Sequence, residues 1–197
     1  RGFWADERVD GNIWDIKKPL YKYIYKYFKR KEIQLLKQAK SIISLTENAK
    51  NELLSWDVFK GQQLNISVIP CCVDTKLFDP EKVNVHQKRN LTNALKIKEN
   101  DFVIGYIGSI GTWYMLDEML DFFKVQFDTN PNVKMMFVTG ENAKTIFKAA
   151  ESRNIPKDRV IVVSTIHKYM PLHVSLFDFS IFFIKPSYSK KASSPTK

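Results

Sequence analysis

The chain contains 197 residues, 44% of them hydrophobic and 26% charged, with a formal net charge of +10. This length and apolar content predict a globular protein with one large or two modest hydrophobic cores, and no apolar run approaches the roughly 20 residues that a membrane-spanning helix requires. The basic excess favours an anionic partner, which leaves nucleic acid, an anionic membrane surface and phosphorylated substrates as candidate classes.

The first half of the chain predicts two helices and two short strands in alternation. The helix over 19–39 begins at a proline, which the first turn of a helix tolerates, and the helix over 46–55 begins at a threonine that can cap it. Short apolar runs predict strands at 41–45 and 65–69. Residues 81–100 are charged and poorly patterned, which favours a domain boundary there.

The second half alternates more regularly between apolar strands and amphipathic helices. The predicted elements are strand 102–107, helix 113–127, strand 133–138, helix 142–153, strand 159–163, helix 171–176 and strand 179–184. Repeated βα units with apolar strands predict an α/β fold, in which a doubly wound parallel sheet is covered on both faces. Ligands of such sheets bind beyond the carboxyl ends of the strands. The loops at those ends are 108–113, 139–141, 164–169 and 185–197.

The stretch 102–123 is the most informative of these units. Its apolar strand leads into Gly108 and Gly111, and apolar residues then recur at helical spacing behind an acidic face. A strand that enters a helix through a glycine turn directs unpaired backbone N–H groups at one point, where a phosphate can bind. A tight turn without a ligand is the alternative interpretation.

The predicted helix over 19–39 is basic and rich in tyrosine. Its lysines interleave with Tyr21, Tyr23, Tyr25 and Tyr27. Three interpretations are open: a surface helix that packs its apolar residues inward, a helix that lies on an anionic membrane, and a nucleic-acid-binding helix with stacking rings. We rank the surface helix first. The chain has no recognised nucleic-acid motif, so nucleic-acid binding ranks last and we expect no nucleic acid partner.

Metal and disulfide chemistry have little support in the sequence. The only cysteines, Cys71 and Cys72, are adjacent and can form only a strained disulfide with each other. Two reduced cysteines in a reducing compartment are therefore favoured over redox or metal chemistry. The three histidines are scattered, so we expect no metal site.

Five motifs, taken in order, resemble those of family-4-type glycosyltransferases. They are RGFWADE at 1–7, SLTE at 44–47, IPCCVDTKLF at 69–78, GYIGSIGTW at 105–113 and PSYSKKASSPTK at 186–197. In such enzymes the pattern Ile-Pro-x-x-Val-Asp-x-x-x-Phe lies at the boundary between the acceptor domain and the donor domain. The ordered set covers nearly the whole chain and is far more specific than any single motif.

The resemblance implies the GT-B fold, with two Rossmann-like domains. Residues 1–80 then form a partial N-terminal domain on the acceptor side, 81–100 a charged connection, and 101–197 a truncated C-terminal domain that binds the nucleotide sugar. The sequence begins without a methionine, and we expect a fragment of a longer enzyme.

The activity implied by the resemblance is sugar transfer from a nucleotide diphosphate-sugar donor to a carbohydrate or lipid-linked acceptor, in polysaccharide or glycan synthesis. The enzyme would be a retaining, hexosyltransferase-like one. It would need no metal or other cofactor, in keeping with the absence of an Asp-x-Asp motif. Its catalytic residues are not identified. A cytoplasmic location follows, peripheral to the inner face of an anionic membrane through helix 19–39.

A departing diphosphate needs N–H donors and positive charge where negative charge develops. The residues that we assign to this role are Gly108, Ser109, Gly111, Thr112, Lys190, Ser193, Ser194, Thr196 and Lys197. In the segment 193–197, two hydroxyls and a proline suited to a helix start precede a cationic head group. Solvated lysines, and serines that merely cap a helix, are the alternatives.

The resemblance also implies positions for the nucleoside and the acceptor. By the family's pattern, the base and ribose lie against Thr139, Gly140, Glu141, Thr165 and His167. An isolated surface histidine is the alternative for His167. The opening motif resembles a cleft-facing loop, in which Arg1 meets a phosphate or sugar hydroxyl while Asp6 or Glu7 hydrogen-bonds a sugar. A loop whose charges pair with each other is equally favoured.

The chain departs from the family's pattern in two places. Many relatives carry an arginine and a lysine in the first glycine loop. Here that loop reads SIGTWY, and the first cation after it is Lys124. Ala192 stands at the first of two expected glutamates, and the second falls past Lys197. We therefore expect weak donor binding or slow turnover from this segment alone. The rival function is a non-catalytic basic module that retains the fold and binds nucleotides, polyanions or membranes.

Overall fold

The computed structural model describes residues 3–194. They form two compact units, one made of residues 3–72 with 185–194 and the other of residues 73–184. The chain therefore leaves the first unit near residue 72 and returns to it near residue 185.

The described residues of the first unit contain three helices and a two-stranded sheet. These are α1 (Trp4–Asp10), α2 (Pro19–Gln38), β1 (Ile42–Ser44), α3 (Glu47–Ser55) and β2 (Ile66–Val68). The two strands are parallel, with Ile42 opposite Ile66. Thr46 caps α3 as its sequence predicts, because its hydroxyl oxygen accepts a hydrogen bond from the N–H of Ala49 at 3.1 Å.

Helix α1 lies where the sequence predicts a loop. The N–H of Glu7 donates to the carbonyl oxygen of Phe3 at 2.8 Å and closes its first turn. Asp6 and Glu7 in the first turn and Arg8 in the last are the charges that the helix dipole favours. Seven residues make only about two turns, which is too short for a periodic apolar pattern, so the sequence predicts no helix there.

The core of the first unit is small. Its buried members are Phe3, Ala49, Leu53, Ile66 and Ala192. Ala192 comes from the segment 185–194, which the sequence assigns to the C-terminal domain. Helix α2 contributes no buried residue to this core, although its Leu36 packs against it.

The second unit is a parallel sheet with helices on both faces. Its elements are α4 (Val85–Ala94), β3 (Phe102–Ile107), α5 (Leu116–Thr129), β4 (Val133–Val138), α6 (Ala143–Glu151), β5 (Val160–Val163), α7 (Met170–Val174) and β6 (Phe179–Ser180). The strand order is β5-β4-β3-β6, and every neighbouring pair is parallel. The predicted α/β class with a parallel sheet is therefore confirmed.

Successive residues of β3 face opposite sides of the sheet and belong to different cores. Ile104 lies in a buried cluster with Met119 of α5 and Ile146 of α6. Val103 lies in a second cluster, with Leu176 just after α7 and against Leu91 of α4. Burial on both faces explains why the strands are continuously apolar rather than alternating.

The segment 81–100, predicted as a charged connection, contains helix α4. The side-chain oxygen of Asn84 caps it by accepting a hydrogen bond from the N–H of Gln87 at 3.0 Å. Leu91 and Leu95 pack against the second core cluster, and no residue of the helix is buried. Only Leu91 makes this contact from within the ten-residue helix, since Leu95 follows it, and most other positions are polar, so the apolar pattern in the sequence is weak.

The last strand is shorter than its apolar run. The sequence predicts a strand over 179–184, whereas only Phe179–Ser180 pair with β3. Ile184 instead forms an isolated antiparallel bridge with Tyr114, beyond the glycine turn. The apolar run 179–184 is therefore longer than the part of it that pairs with β3, which is why the sequence predicts too long a strand.

Candidate functional site

The turn after β3 begins with a backbone conformation that favours glycine. Gly108 has φ +118° and Gly111 has φ +107°, a region that residues with a Cβ rarely adopt. The N–H of Gly108 still belongs to the sheet, because it donates to the carbonyl oxygen of Val138 at 3.0 Å. The turn therefore leaves the sheet after Gly108, at the carboxyl end of β3.

Three amides of this turn are available to a ligand. The N–H groups of Ser109, Ile110 and Thr112 form no hydrogen bond with any residue in the described part of the chain. The carbonyl oxygen of Ser109 is bound, since the hydroxyl of Tyr106 donates to it. Burial, followed by the nearby Tyr114 and Glu141, raises the pKa of Tyr106 well above its ordinary value, so this hydroxyl stays a donor.

The helix that follows the turn has an acidic first turn, which opposes anion binding. Asp117 and Glu118 lie there, and Arg153 at the end of α6 offsets part of this charge. The Arg153 guanidinium binds Asp121 at 2.6 Å and Asp117 at 2.9 Å. The hydrogen bond to Asp121 is the main reason that the pKa of Arg153 is raised. Of the two carboxylates in the first turn of α5, the one on Asp117 is therefore neutralised by Arg153, which reduces the repulsion of an anion bound beside the helix.

The positive charge of the chain is unevenly distributed. Residues 73–184 contain 14 lysines and arginines against 13 aspartates and glutamates, so that the second unit carries a formal charge of only +1. The remaining +9 lies in residues 1–72 and 185–197. Within the second unit, attraction of the glycine turn for a phosphate therefore comes mainly from backbone dipoles, because the unit's own net charge is small.

The loop after β4 is held by its own threonine. Thr139 is buried, its N–H donates to Val163 at 2.8 Å, and its hydroxyl oxygen accepts a hydrogen bond from the N–H of Glu141 at 3.1 Å. Gly140 is exposed between them. The exposed Gly140 and Glu141 can meet a ligand, whereas the Thr139 side chain shapes the loop.

The loop after β5 contains Thr165, which is half-buried, and His167, which is exposed. The His167 ring packs edge-on against Phe78, with centroids 5.7 Å apart. Phe78 ends the motif 69–78, whose Asp74 carboxylate accepts a hydrogen bond from the N–H of Lys76 at 2.9 Å. One side of His167 is thus occupied by the motif.

The structure brings part of the predicted site together. Strands β3, β4 and β5 are adjacent and parallel, so the loops that follow them share one edge of the sheet. That edge carries Gly108, Ser109, Gly111, Thr112, Thr139, Gly140, Glu141, Thr165 and His167. Their roles in ligand binding stay predictions.

The segment 185–194 packs within the first unit instead. Lys190 forms an ion pair with Glu7, and Lys191 forms one with Glu52 at 3.2 Å. The N–H of Ser189 donates to Asp10 at 2.9 Å. Positive charge near the end of the chain thus meets acidic residues of α1 and α3, which explains why this segment belongs to the first unit.

The two serines of this segment follow a helical turn rather than begin one. A 3₁₀ turn spans Tyr188–Ala192 and ends at Ser193, whose N–H donates to the carbonyl oxygen of Lys190 at 3.0 Å. The carbonyl oxygen of Ser194 accepts a hydrogen bond from Cys71 at 3.6 Å. Arg1, Thr196 and Lys197, which the sequence also assigns to the site, lie outside the described residues.

The acidic residues of the opening motif pair with cations of the chain. Asp6 is 8% exposed and accepts hydrogen bonds from the Tyr25 hydroxyl at 2.8 Å and from the Lys29 ammonium at 2.9 Å. Burial and the bond to Asp6 raise the pKa of Tyr25. Glu7 is bound to Lys190. These partners lie outside residues 1–7, and the sugar-binding role of both carboxylates stays a prediction.

Sequence reasoning missed Tyr106 and Arg153. A tyrosine in an otherwise apolar strand, two residues before a glycine turn, is a signal for the first, because a buried hydroxyl requires a nearby acceptor. No comparable signal exists for Arg153. Its partner Asp121 lies 32 positions earlier, and only the packing of α6 beside α5 joins them.

The first unit also contains a cavity of about 190 Å³. Its lining is mostly apolar and includes Phe3, Leu36 and Ile42. Its polar side chains are engaged elsewhere: the Ser44 hydroxyl donates to Thr46 at 2.9 Å, and Glu32 binds Lys29. The cavity therefore offers little that could orient a sugar.

Residues 3–194 contain neither a candidate metal site nor a candidate membrane-spanning helix. No cluster of three histidine, cysteine, aspartate or glutamate side chains lies close enough to hold a metal ion. No helix there combines the length and the apolar character that crossing a membrane demands.

The sequence matches no family model and no curated protein, but its fold is similar to that of solved structures. A glycosyltransferase from Rickettsia africae ESF-5 is 14% identical, with a TM-score of 0.54, over 72% of this chain and 37% of that one. A mutant of S. aureus TarM, solved with fondaparinux, alpha-GlcNAc-glycerol and UDP, is 15% identical, with a TM-score of 0.52, over 78% of this chain and 27% of that one.

A third similar structure comes from a phosphatase. The N-terminal domain of a Candida albicans trehalose-6-phosphate phosphatase is 11% identical, with a TM-score of 0.56, over 77% of this chain and 41% of that one. At these identities the likeness concerns the fold alone, and this chain spans well under half of each of the three proteins. The fold is therefore that of an α/β protein with parallel sheets, as in these glycosyltransferase structures.

Proposed function

We propose that this chain is part of a GT-B glycosyltransferase of the family-4 type, which transfers a sugar from a nucleotide diphosphate-sugar donor to a carbohydrate or lipid-linked acceptor. The observation that carries the proposal is the glycine turn 108–112 at the carboxyl edge of a parallel sheet. Its amides at Ser109, Ile110 and Thr112 have no hydrogen-bond partner among residues 3–194. The adjacent loops at 139–141 and 165–167 would receive the nucleoside. Similarity of fold to two glycosyltransferases supports this choice of enzyme class.

The chemistry that we assign to the turn is stabilisation of the leaving diphosphate. The bond between the anomeric carbon and the diphosphate oxygen breaks, and that oxygen keeps the electron pair. The acceptor hydroxyl oxygen bonds to the anomeric carbon on the same face, so that configuration is retained, and the hydroxyl proton passes to the departing diphosphate. Backbone amides directed at that oxygen act without reorganising. We place no metal or other cofactor in this step and assign the cytoplasmic synthesis of a polysaccharide or glycan to the enzyme.

A cationic contribution would come from Lys190 and Lys197, with hydroxyls from Ser193, Ser194 and Thr196. Because Lys190 is bound to Glu7 in the first unit, its use by a diphosphate requires exchange of that partner. Lys197, which lies outside the described residues, is the second cation of the proposal. An intact enzyme with alanine at Lys197 should therefore turn over more slowly.

Binding of a nucleoside diphosphate to the chain tests the proposal. We expect UDP, GDP or ADP to raise the midpoint of thermal unfolding, with one of them preferred. A ligand at 100 times its Kd stabilises the folded state by about 2.7 kcal/mol. Gly111→Ala strains the turn at φ +107° and should weaken binding, whereas Gly61→Ala, at φ +75° in the first unit, is the matched control. No stabilisation by any of the three nucleotides would contradict the proposal.

A non-catalytic basic module that binds membranes or polyanions is the second candidate function. Helix α2 supports it, because no residue of this 20-residue helix is buried. Its single acidic residue, Glu32, is paired with Lys29, so that the charge presented to solvent is basic. Trp4, Trp14 and Phe28 form an adjacent aromatic cluster with ring centroids 4.9–5.7 Å apart. Exposed lysines beside aromatic rings suit an anionic bilayer surface.

Co-sedimentation with lipid vesicles separates this function from the first. Vesicles that contain phosphatidylserine should bind the chain, and purely zwitterionic vesicles should not. The double change Lys26→Glu and Arg30→Glu on α2 should abolish binding, whereas Lys144→Glu and Lys148→Glu on α6 make the same change of charge in the second unit and should have little effect. If both double variants lose vesicle binding equally, the binding depends on the net charge of the chain and not on α2.

A further inference from the structure

Tyr106 is the one polar side chain among the inward-facing residues of β3. Its ring is 1% exposed and packs against Phe137, at 5.7 Å between centroids, and Tyr114, at 6.4 Å. Phenylalanine would fill the same space, so packing alone does not require a tyrosine. The hydroxyl is what distinguishes it, and a buried hydroxyl is costly unless it is hydrogen-bonded.

That hydroxyl donates to the carbonyl oxygen of Ser109, in the middle of the glycine turn. In a trans peptide the C=O of one residue and the N–H of the next lie in one plane and point in opposite directions. The bond from Tyr106 to the Ser109 carbonyl therefore turns the N–H of Ile110 away from the core. This N–H is one of the amides with no partner in residues 3–194.

We propose that Tyr106 is a positioning residue, which orients the Ile110 N–H toward the diphosphate of a nucleotide ligand. The inference rests on the proposed function, because it takes the turn to be the diphosphate site. Without the tether, the 109–110 peptide plane can rotate about the ψ angle of Ser109 and the φ angle of Ile110, the two soft dihedrals that border it. A rotated peptide would present a carbonyl oxygen to the diphosphate where the N–H had been.

Tyr106→Phe removes the tether and keeps the ring. Calorimetric titration with the preferred nucleoside diphosphate should show an affinity roughly five to ten times weaker than that of the original chain, in line with one lost hydrogen bond. The affinity for the corresponding nucleoside, which lacks the diphosphate, should be unchanged. A merely structural role would weaken both ligands alike.

Tyr25→Phe is the matched control, because it also removes a partly buried tyrosine hydroxyl from its acceptor, Asp6. It lies in the first unit, and it should alter neither affinity. A second measurement uses the unaltered chain. The amide resonance of Ile110 should shift on titration with the diphosphate and should stay in place with the nucleoside.

Besides equal weakening of both ligands, three results would overturn the inference. If the original chain binds the diphosphate and Tyr106→Phe binds it equally well, Tyr106 is not a positioning residue and the proposed function stands. If the diphosphate binds without moving the Ile110 resonance, the orientation argument fails even when the variant does not fold. If the original chain binds no nucleoside diphosphate, both the proposed function and this inference fail.

Discussion

Gly105→Ala tests the packing that sets the position of the candidate site. A Cβ at Gly105 would lie 2.1 Å from a ring carbon of Phe177, about 1.3 Å short of ordinary van der Waals contact at 3.4 Å. Gly105 is paired with both Met136 and Ser180, so its backbone cannot move aside. The Phe177 ring must move instead, together with the start of β6.

We expect Gly105→Ala to lower the free energy of unfolding of the second unit by about 3 kcal/mol, at the upper end of the usual cost of overpacking. For a unit of this size, that corresponds to a fall of roughly 10 °C in the midpoint of thermal unfolding. Hydrogen exchange of the slowest amides in β3 and β4 measures the change in that unit alone. Gly140→Ala is the control, because a Cβ there meets nothing within 4 Å.

The double change Gly105→Ala with Phe177→Ala gives a sharper test. Once the ring is absent, the added methyl group has room, so the double variant should be more stable than the sum of the two single losses predicts. Strict additivity, or exchange in Gly105→Ala that equals exchange in Gly140→Ala, would show that Phe177 does not pack on Gly105.

Three other predictions concern caps, charges and pH. Thr46→Ala should cost about 1 kcal/mol in chemical denaturation, because it removes the cap of α3. Arg153→Gln should weaken nucleoside diphosphate binding in calorimetry, since Asp117 beside the turn loses its cation. Burial and the bond to Glu52 raise the pKa of Tyr188 from 10.0 to about 12. The stability that this bond contributes is therefore complete below pH 10 and lost as the pH rises to 12, and tyrosinate absorbance should follow the loss.

The regular part of the fold was predictable because its signals are local. Strands over 102–107 and 133–138 are buried on both faces, so continuous apolar runs mark them, and each is followed by a helix with its own period. The turn after the first of these strands was predictable for the same reason, since the sharp exit from a buried strand requires the glycines that the sequence contains there.

The parts that sequence reasoning did not find depend on partners far away in the chain. The ion pair of Glu7 with Lys190 joins residues 183 positions apart, and no local pattern signals it. The segment that contains Lys190 was accordingly assigned to the other domain. The Tyr106 hydroxyl is different, because its acceptor lies three residues on. It was missed because the prediction of a buried strand treats tyrosine as a hydrophobic residue and takes no account of its hydroxyl.

The two candidate functions draw on different physical sources of anion affinity. The glycine turn offers oriented dipoles in a unit with a formal charge of +1, so its selectivity depends on the direction of a few amides and little on ionic strength. The first unit offers net charge and exposed aromatic rings, whose attraction for anions falls steeply as salt screens it. The two proposals are therefore compatible, since one rests on the geometry of the turn and the other on the charge of the first unit. Because the sources are separate, reversing charges on α2 leaves the turn intact, and removing the Tyr106 hydroxyl leaves the basic surface intact.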